Sequence, residues 1–169
     1  MRGRPCTCCF TGHRPEKLPW GADETDPRCA ALKKKLYDAI EAAYDEGMQH
    51  FICGMARGCD FYFAEAVIEL RQKRGDVTLE AAVPCPTQAD SWPEPDRARW
   101  KALLAQCDLE TLVQDRYTKG CMLRRNRYMV DHSALVIAVY DGTNGGTRRT
   151  LEYALRQKVP FADIPPVEE

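Results

Sequence analysis

Short apolar runs alternate along this chain with segments of helical period. The first run, residues 6–10, is bounded by Pro5 and Gly12 and reads as a buried strand. Over 28–46, Leu32, Leu36, Ile40 and Ala43 fall on one helical face. Lys33, Lys34, Asp38, Glu41 and Asp45 lie mostly off it, and Gly47 stands where a C-terminal cap belongs. Residues 50–53 predict a second strand. Asp60 is placed to cap a helix over 61–73, whose core face would be Phe63, Ala64, Val67, Ile68 and Leu70. Residues 77–83 predict a third strand, closed by Pro84. The proline-rich stretch 86–95, with Trp92 inside it, reads as a mobile or functional loop. A helix over 96–106, a short strand over 109–113 and a helix over 120–131 follow. The unbroken run "ALVIAVY", 134–140, fits a strand buried on both faces. A last helix runs to about residue 157, and 159–164 predicts an edge strand limited by Pro160 and Pro165.

Regular alternation of strand and helix argues for an α/β fold with a mostly parallel sheet. At 169 residues, without internal repeats or a linker, one domain over 1–169 is expected. The net charge of −1 argues against a partner as anionic as nucleic acid, although Arg124, Arg125, Arg127, Arg148 and Arg149 cluster locally. No stretch resembles a signal peptide or a membrane span, so a soluble, cytoplasmic protein is expected. The nine cysteines sit mostly in apolar runs and lack zinc-site spacing. Buried free thiols are therefore expected, with no metal site.

In an open parallel sheet, ligands bind beyond the carboxyl ends of the strands. Those ends deliver Thr11, Gly12, His13 and Arg14 after the first strand. Gly54, Met55, Gly58 and Asp60 follow the second. Asp141, Gly142, Gly145, Gly146 and Thr147 follow the "ALVIAVY" strand. Glycine permits close backbone approach, and a helix N-terminus offers free N–H groups, so these turns together suit a phosphate. Neither a Walker motif nor a Gly-x-Gly-x-x-Gly fingerprint is present. Thr147 has two readings, a helix cap or a hydroxyl on the phosphate. His13 has two, a solvated loop residue or a catalyst. Asn126 reads as a hydrogen-bonding group for a sugar or a loop backbone. Trp20 and Trp92 either stack a base or pin their loops to the body.

The segments "FTGHRPEKLP", "ICGMARGCDFYFAEAV" and "RRNRYMVDHSALVIAVYDGTNGGTRRTLEYA" together resemble the YpsA-like proteins of the SLOG superfamily, over residues 8–160. That superfamily also contains the LOG phosphoribohydrolases and the DprA/Smf proteins. The resemblance implies a Rossmann-like three-layer α/β/α fold that binds or senses a nucleotide or nucleotide-derived ligand. By similarity, Gly12, His13, Arg14, Gly54, Asp60, Arg125, Asn126, Asp141, Gly145, Gly146 and Thr147 would line the site. No cofactor is implied, though Mg²⁺ would suit a phosphate ligand. A homodimer is suggested by analogy with sister enzymes. The alternative is a LOG-like nucleotide N-glycoside hydrolase. The LOG motif keeps acidic residues directly after its Gly-x-Gly-Thr, where this chain has Arg148 and Arg149. Asp60, Asp141 and Glu152 are the candidates to supply the missing carboxylate. A DprA-like single-stranded DNA binder is the third alternative, with only the arginine cluster to support it.

Overall fold

The computed structural model describes residues 4–167. Within them the chain runs β1 (Thr7–Gly12), α1 (Pro27–Asp45), β2 (His50–Cys53), α2 (Cys59–Lys73), β3 (Thr78–Val83), α3 (Glu94–Gln106), β4 (Leu109–Leu112), α4 (Cys121–Asp131), β5 (Leu135–Val139), α5 (Gly146–Arg156) and β6 (Phe161–Ile164). The six strands form one parallel sheet in the order β4-β3-β2-β1-β5-β6. The chain winds outward from β1 to β4 on one side, then crosses to β5 and β6 on the other. The switch point between β1 and β5 is where such a sheet opens a crevice.

The period-2 alternation of the strands divides the core into two layers. Cys8, Phe10, Phe51, Cys53, Ile137 and Val139 point into one layer, with Leu32, Leu36 and Ile40 of α1, Phe63 and Val67 of α2, and Leu103 of α3. Cys9, Ile52, Val136 and Ala138 point the other way, onto Met129 and Val130 of α4 and Leu151 and Ala154 of α5. Both faces are covered, which is why the central strands read as unbroken apolar runs. At the start of α1, the Asp26 carboxylate accepts from the Arg28 N–H at 2.8 Å. Gly47 follows that helix with φ +106°.

One expectation is extended and two need correcting. The expected core face of α2 is buried, and burial extends nearly all round the helix, Phe61 and Tyr62 included, because it lies on β1, β2 and β3 and is flanked by α1 and α3. Asp60 does not cap it. The N-cap is Gly58, and Asp60 sits inside the first turn, its Oδ2 accepting from the Ala56 N–H at 2.9 Å. The proline-rich stretch after β3 is tied down. Gln88 is buried, donates to the Gly54 carbonyl at 2.9 Å and accepts from Trp100 Nε1 at 3.2 Å.

Trp20 and Trp92 both pin loops. Trp20 is buried and donates to Tyr62 Oη at 3.2 Å, and Trp92 packs edge-on against Phe61. Seven of the nine cysteines are buried and all are free. Burial pushes the Cys9 thiol up to about 12, so it stays protonated and packs as a small apolar group. Among the described residues, no group of three His, Cys, Asp or Glu side chains is placed to hold a metal, and no helix is long and apolar enough to cross a membrane.

Candidate functional site

A cavity of about 470 Å³ opens at the carboxyl ends of β1 and β5. Its walls come from the turn after β1, the N-terminal turns of α2 and α5, and one face of α4. It brings together Thr11, Gly12, His13 and Arg14 with Asp60, Arg125, Asn126, Gly146 and Thr147. Gly54, Met55, Gly58, Asp141, Gly142, Gly145 and Glu152 do not line it. Phe10, Glu16, Lys17, Ala56, Lys119, Met122, Leu123, Met129 and Arg149 complete the walls. Arg149 belongs to the arginine cluster visible in the sequence; the others carry no local signal, because they come from a strand interior, a 3-10 turn, connecting turns and helix faces. The lining thus combines apolar side chains with cationic ones.

Arg125 is the most constrained member. It is 4% exposed, and its contacts run to neutral acceptors only. Nη1 donates to the Gly54 carbonyl, Nε donates to Asn126 Oδ1 at 2.7 Å, and Nη2 reaches Met122 Sδ at 3.9 Å. Burial pulls the guanidinium below its ordinary pKa, and the charge of Asp60 opposes that pull. Asp60, itself 6% exposed, is pushed up by burial against the opposing effects of Arg125 and the Ala56 N–H. Desolvation outweighs mutual attraction in both groups.

Two predicted glycines serve protein contacts. A Cβ on Gly54 would lie 2.6 Å from Arg125 Nη1, so the missing side chain makes room for the guanidinium. Gly58 has φ +85°, and a Cβ there would lie 2.9 Å from the His13 carbonyl oxygen. It lets the turn before α2 press against the turn after β1.

His13 is 3% exposed. Its Nε2 accepts from the Asp141 N–H at 3.1 Å and lies 3.0 Å from Asp141 Oδ1. Burial lowers its pKa from the ordinary 6.5; Asp141 opposes this and Lys17 adds to it. Burial raises the Asp141 carboxyl, but two hydrogen bonds from Thr143 and the nearby His13 outweigh it and hold the group low. Lys17 Nζ donates to Thr143 Oγ1 at 3.2 Å and to the Asn144 carbonyl. The turn after β1 thus holds the segment leading into α5 from two points.

Helix α5 starts without a side-chain cap and without an acid in its first turn; Arg148 and Arg149 stand there instead. Thr147 lies within that turn, buried, and the capping position belongs to Gly145. Arg148 is taken by Asn144 Oδ1 and by Glu152 Oε1 at 3.0 Å. Glu152 is thereby turned toward a shallow depression on the α4–α5 surface. Free N–H groups and a basic first turn are unfavourable to the helix alone and favourable once an anion sits there.

These features define a Rossmann-like α/β protein with a cationic crevice at the switch point. The family model described as "YspA SLOG family" matches residues 8–162, and the chain belongs to that family. The SPbeta prophage-derived protein YoqJ of Bacillus subtilis (strain 168) is 31% identical over 142 residues, spanning 76% of this chain and 83% of that protein. The UPF0398 protein YpsA of the same organism is 26% identical over 141 residues, spanning 82% and 77%. Among solved structures, DNA processing protein A from Helicobacter pylori, described for its single-stranded DNA binding mode, superposes with a TM-score of 0.63 at 16% identity. DprA from Streptococcus pneumoniae gives 0.61 at 14%. The two superpositions cover 96% and 94% of this chain, but only 66% and 50% of those longer chains, and they establish the shared fold.

Proposed function

We propose that the cavity binds a nucleotide or nucleotide-derived ligand through its phosphate, as a binding or sensing site. The observation that carries this reading is Arg125, a buried cation whose hydrogen-bond partners are all neutral. Asp60 acts on it without a hydrogen bond, and an anion in the cavity would supply the direct charged partner. The uncapped start of α5 and the side chains of Arg14, Lys17 and Arg149 offer further donors in the same cavity. Phe10, Met122, Leu123 and Met129 offer an apolar wall for a base, and the volume suits a ligand of mononucleotide size.

Binding without hydrolysis is favoured over LOG-like N-glycoside cleavage. Of the three candidate carboxylates, Asp60 alone lines the cavity, and it is held by the Ala56 N–H. Asp141 is engaged with His13 and Thr143, and Glu152 with Arg148. A second reading, a strand of nucleic acid, is supported by the local excess of cations. Arg14, Lys17, Lys119, Arg125 and Arg149 face only Glu16 and Asp60 in the cavity wall, whatever the overall charge.

Thermal unfolding with AMP, ADP and a short single-stranded oligonucleotide, each with and without Mg²⁺, tests both readings. A ligand at 100 times its Kd stabilises by about 2.7 kcal/mol, a rise of roughly 5 °C or more for a chain of this size. Stabilisation by a mononucleotide that disappears in Arg125→Met supports the first reading. A response confined to the oligonucleotide and steeply dependent on salt supports the second. No response from the folded protein to any of them sinks both.

A further inference from the structure

The depression that receives Glu152 lies between α4 and α5 and is about 180 Å³ in volume. It adjoins the main cavity, since Leu123, Asn126 and Arg149 line both. Beyond that shared wall stand Arg127, Tyr153 and Arg156. The Tyr153 ring lies between the two guanidiniums, 5.3 Å from Arg127 and 5.8 Å from Arg156, while its hydroxyl donates to Asp131 at 2.7 Å. That hydrogen bond fixes the ring, and the ring spaces the two cations.

Arg127, Arg149 and Arg156 have no carboxylate partner among the described residues. Arg148, their neighbour, is paired with Glu152, the one acid in the depression. Three arginines without a carboxylate partner therefore surround a hollow too small for a whole nucleotide and adjacent to a cavity of nucleotide size. A hollow of this size and charge suits the end of something already seated next door.

We infer that the ligand site is bipartite. The α4–α5 depression is a second anionic subsite, which takes a phosphate-linked second unit carried by a nucleotide held in the main cavity. This rests on the nucleotide reading of that cavity. The shared chemistry is two nucleosides joined through phosphate, which exists both in free pyrophosphate-linked dinucleotides and at the end of a nucleic-acid strand.

Calorimetric titration with AMP, diadenosine diphosphate and the 5′-phosphorylated dinucleotide pApA decides the matter. One or both of the two-unit ligands should bind at least about tenfold more tightly than AMP, the worth of one charge-assisted hydrogen bond. The better of the two identifies the linkage, pyrophosphate or phosphodiester. The gain should vanish in Arg127→Gln and Arg156→Gln, whose side chains are at the surface, while AMP, too short to reach them, keeps its affinity. If AMP binds and neither longer ligand gains, or the gain survives both substitutions, the second subsite is overturned and the main cavity stands. If nothing binds, the nucleotide reading itself fails and takes this one with it.

Discussion

His13 Nε2 lies 3.0 Å from Asp141 Oδ1 across a separation of 128 residues, and the same nitrogen accepts from the Asp141 N–H. Two groups of opposite preference thus face one ring nitrogen. The neutral ring suits the N–H donor; the protonated ring would instead donate to the carboxylate. Burial tips the balance toward the neutral form.

A pH dependence of stability follows, with a definite sign. The folded-state pKa of His13 is below 6.5, so folding disfavours its protonation. The stability from this group is complete above 6.5 and is lost as pH falls through the lowered value. The unfolding temperature should therefore drop between about pH 7 and about pH 5, where histidine titrates. In His13→Gln the slope over that window should be shallower. Identical slopes would show that His13 is not the linked group. Asp60 acts with the opposite sign: its raised value means that its contribution weakens as pH climbs above 3.8. The comparison of slopes isolates His13.

Gly54→Ala tests the close approach of β2 to Arg125. The new Cβ would sit 2.6 Å from Nη1 and 2.7 Å from Cζ of a guanidinium that burial prevents from swinging away. Overpacking of this kind costs about 1–3 kcal/mol. Urea unfolding should show that loss, and AMP should stabilise the variant less than the wild type because its main cation has moved. Full stability with full AMP response would mean that the guanidinium relaxes freely.

The alternation of strands and helices was legible because both sheet faces are covered, so β1, β2 and β5 show as apolar runs between glycine and proline. The crevice was legible as a set of polar turns after those runs. What each glycine makes room for was not. A glycine that admits a ligand and one that admits an arginine 71 residues away look alike in sequence, and Gly54 is the second kind. Gln88 was hidden for a similar reason, since a glutamine in a proline-rich stretch carries no sign that it turns inward to a carbonyl. Lys17 and Lys119 carry no local sign of a role, and only the tertiary fold brings them to the cavity wall.

Gly58→Ala should be more damaging than any change at a free glycine. Position 58 combines φ +85° with a Cβ site 2.9 Å from the His13 carbonyl oxygen and from Pro15 Cδ. Backbone strain of this sort costs about 1–3 kcal/mol before the clash is added. Gly75 has neither feature, with nothing within 4 Å of its Cβ site, so Gly75→Ala should be neutral or stabilising by up to about 1 kcal/mol. Denaturant midpoints of the pair measure the difference, and equal midpoints would refute the claimed tight packing of the two turns.

Gly146→Asp separates the needs of helix α5 from those of its ligand. Gly146 is the first residue of the helix, and nothing lies within 4 Å of its Cβ site. A carboxylate there meets the positive end of the helix, worth about 0.3–1 kcal/mol, and replacing glycine also narrows the freedom of the unfolded chain. The ligand-free protein should therefore unfold a few degrees higher than the wild type. The same carboxylate occupies the place assigned to the phosphate and repels it, so stabilisation by AMP should disappear. A gain in intrinsic stability coupled to a loss of ligand response is not what a general structural defect produces. If the variant instead keeps its response to AMP, the phosphate does not sit at the start of α5, and its position must be sought nearer Arg125 and Lys119.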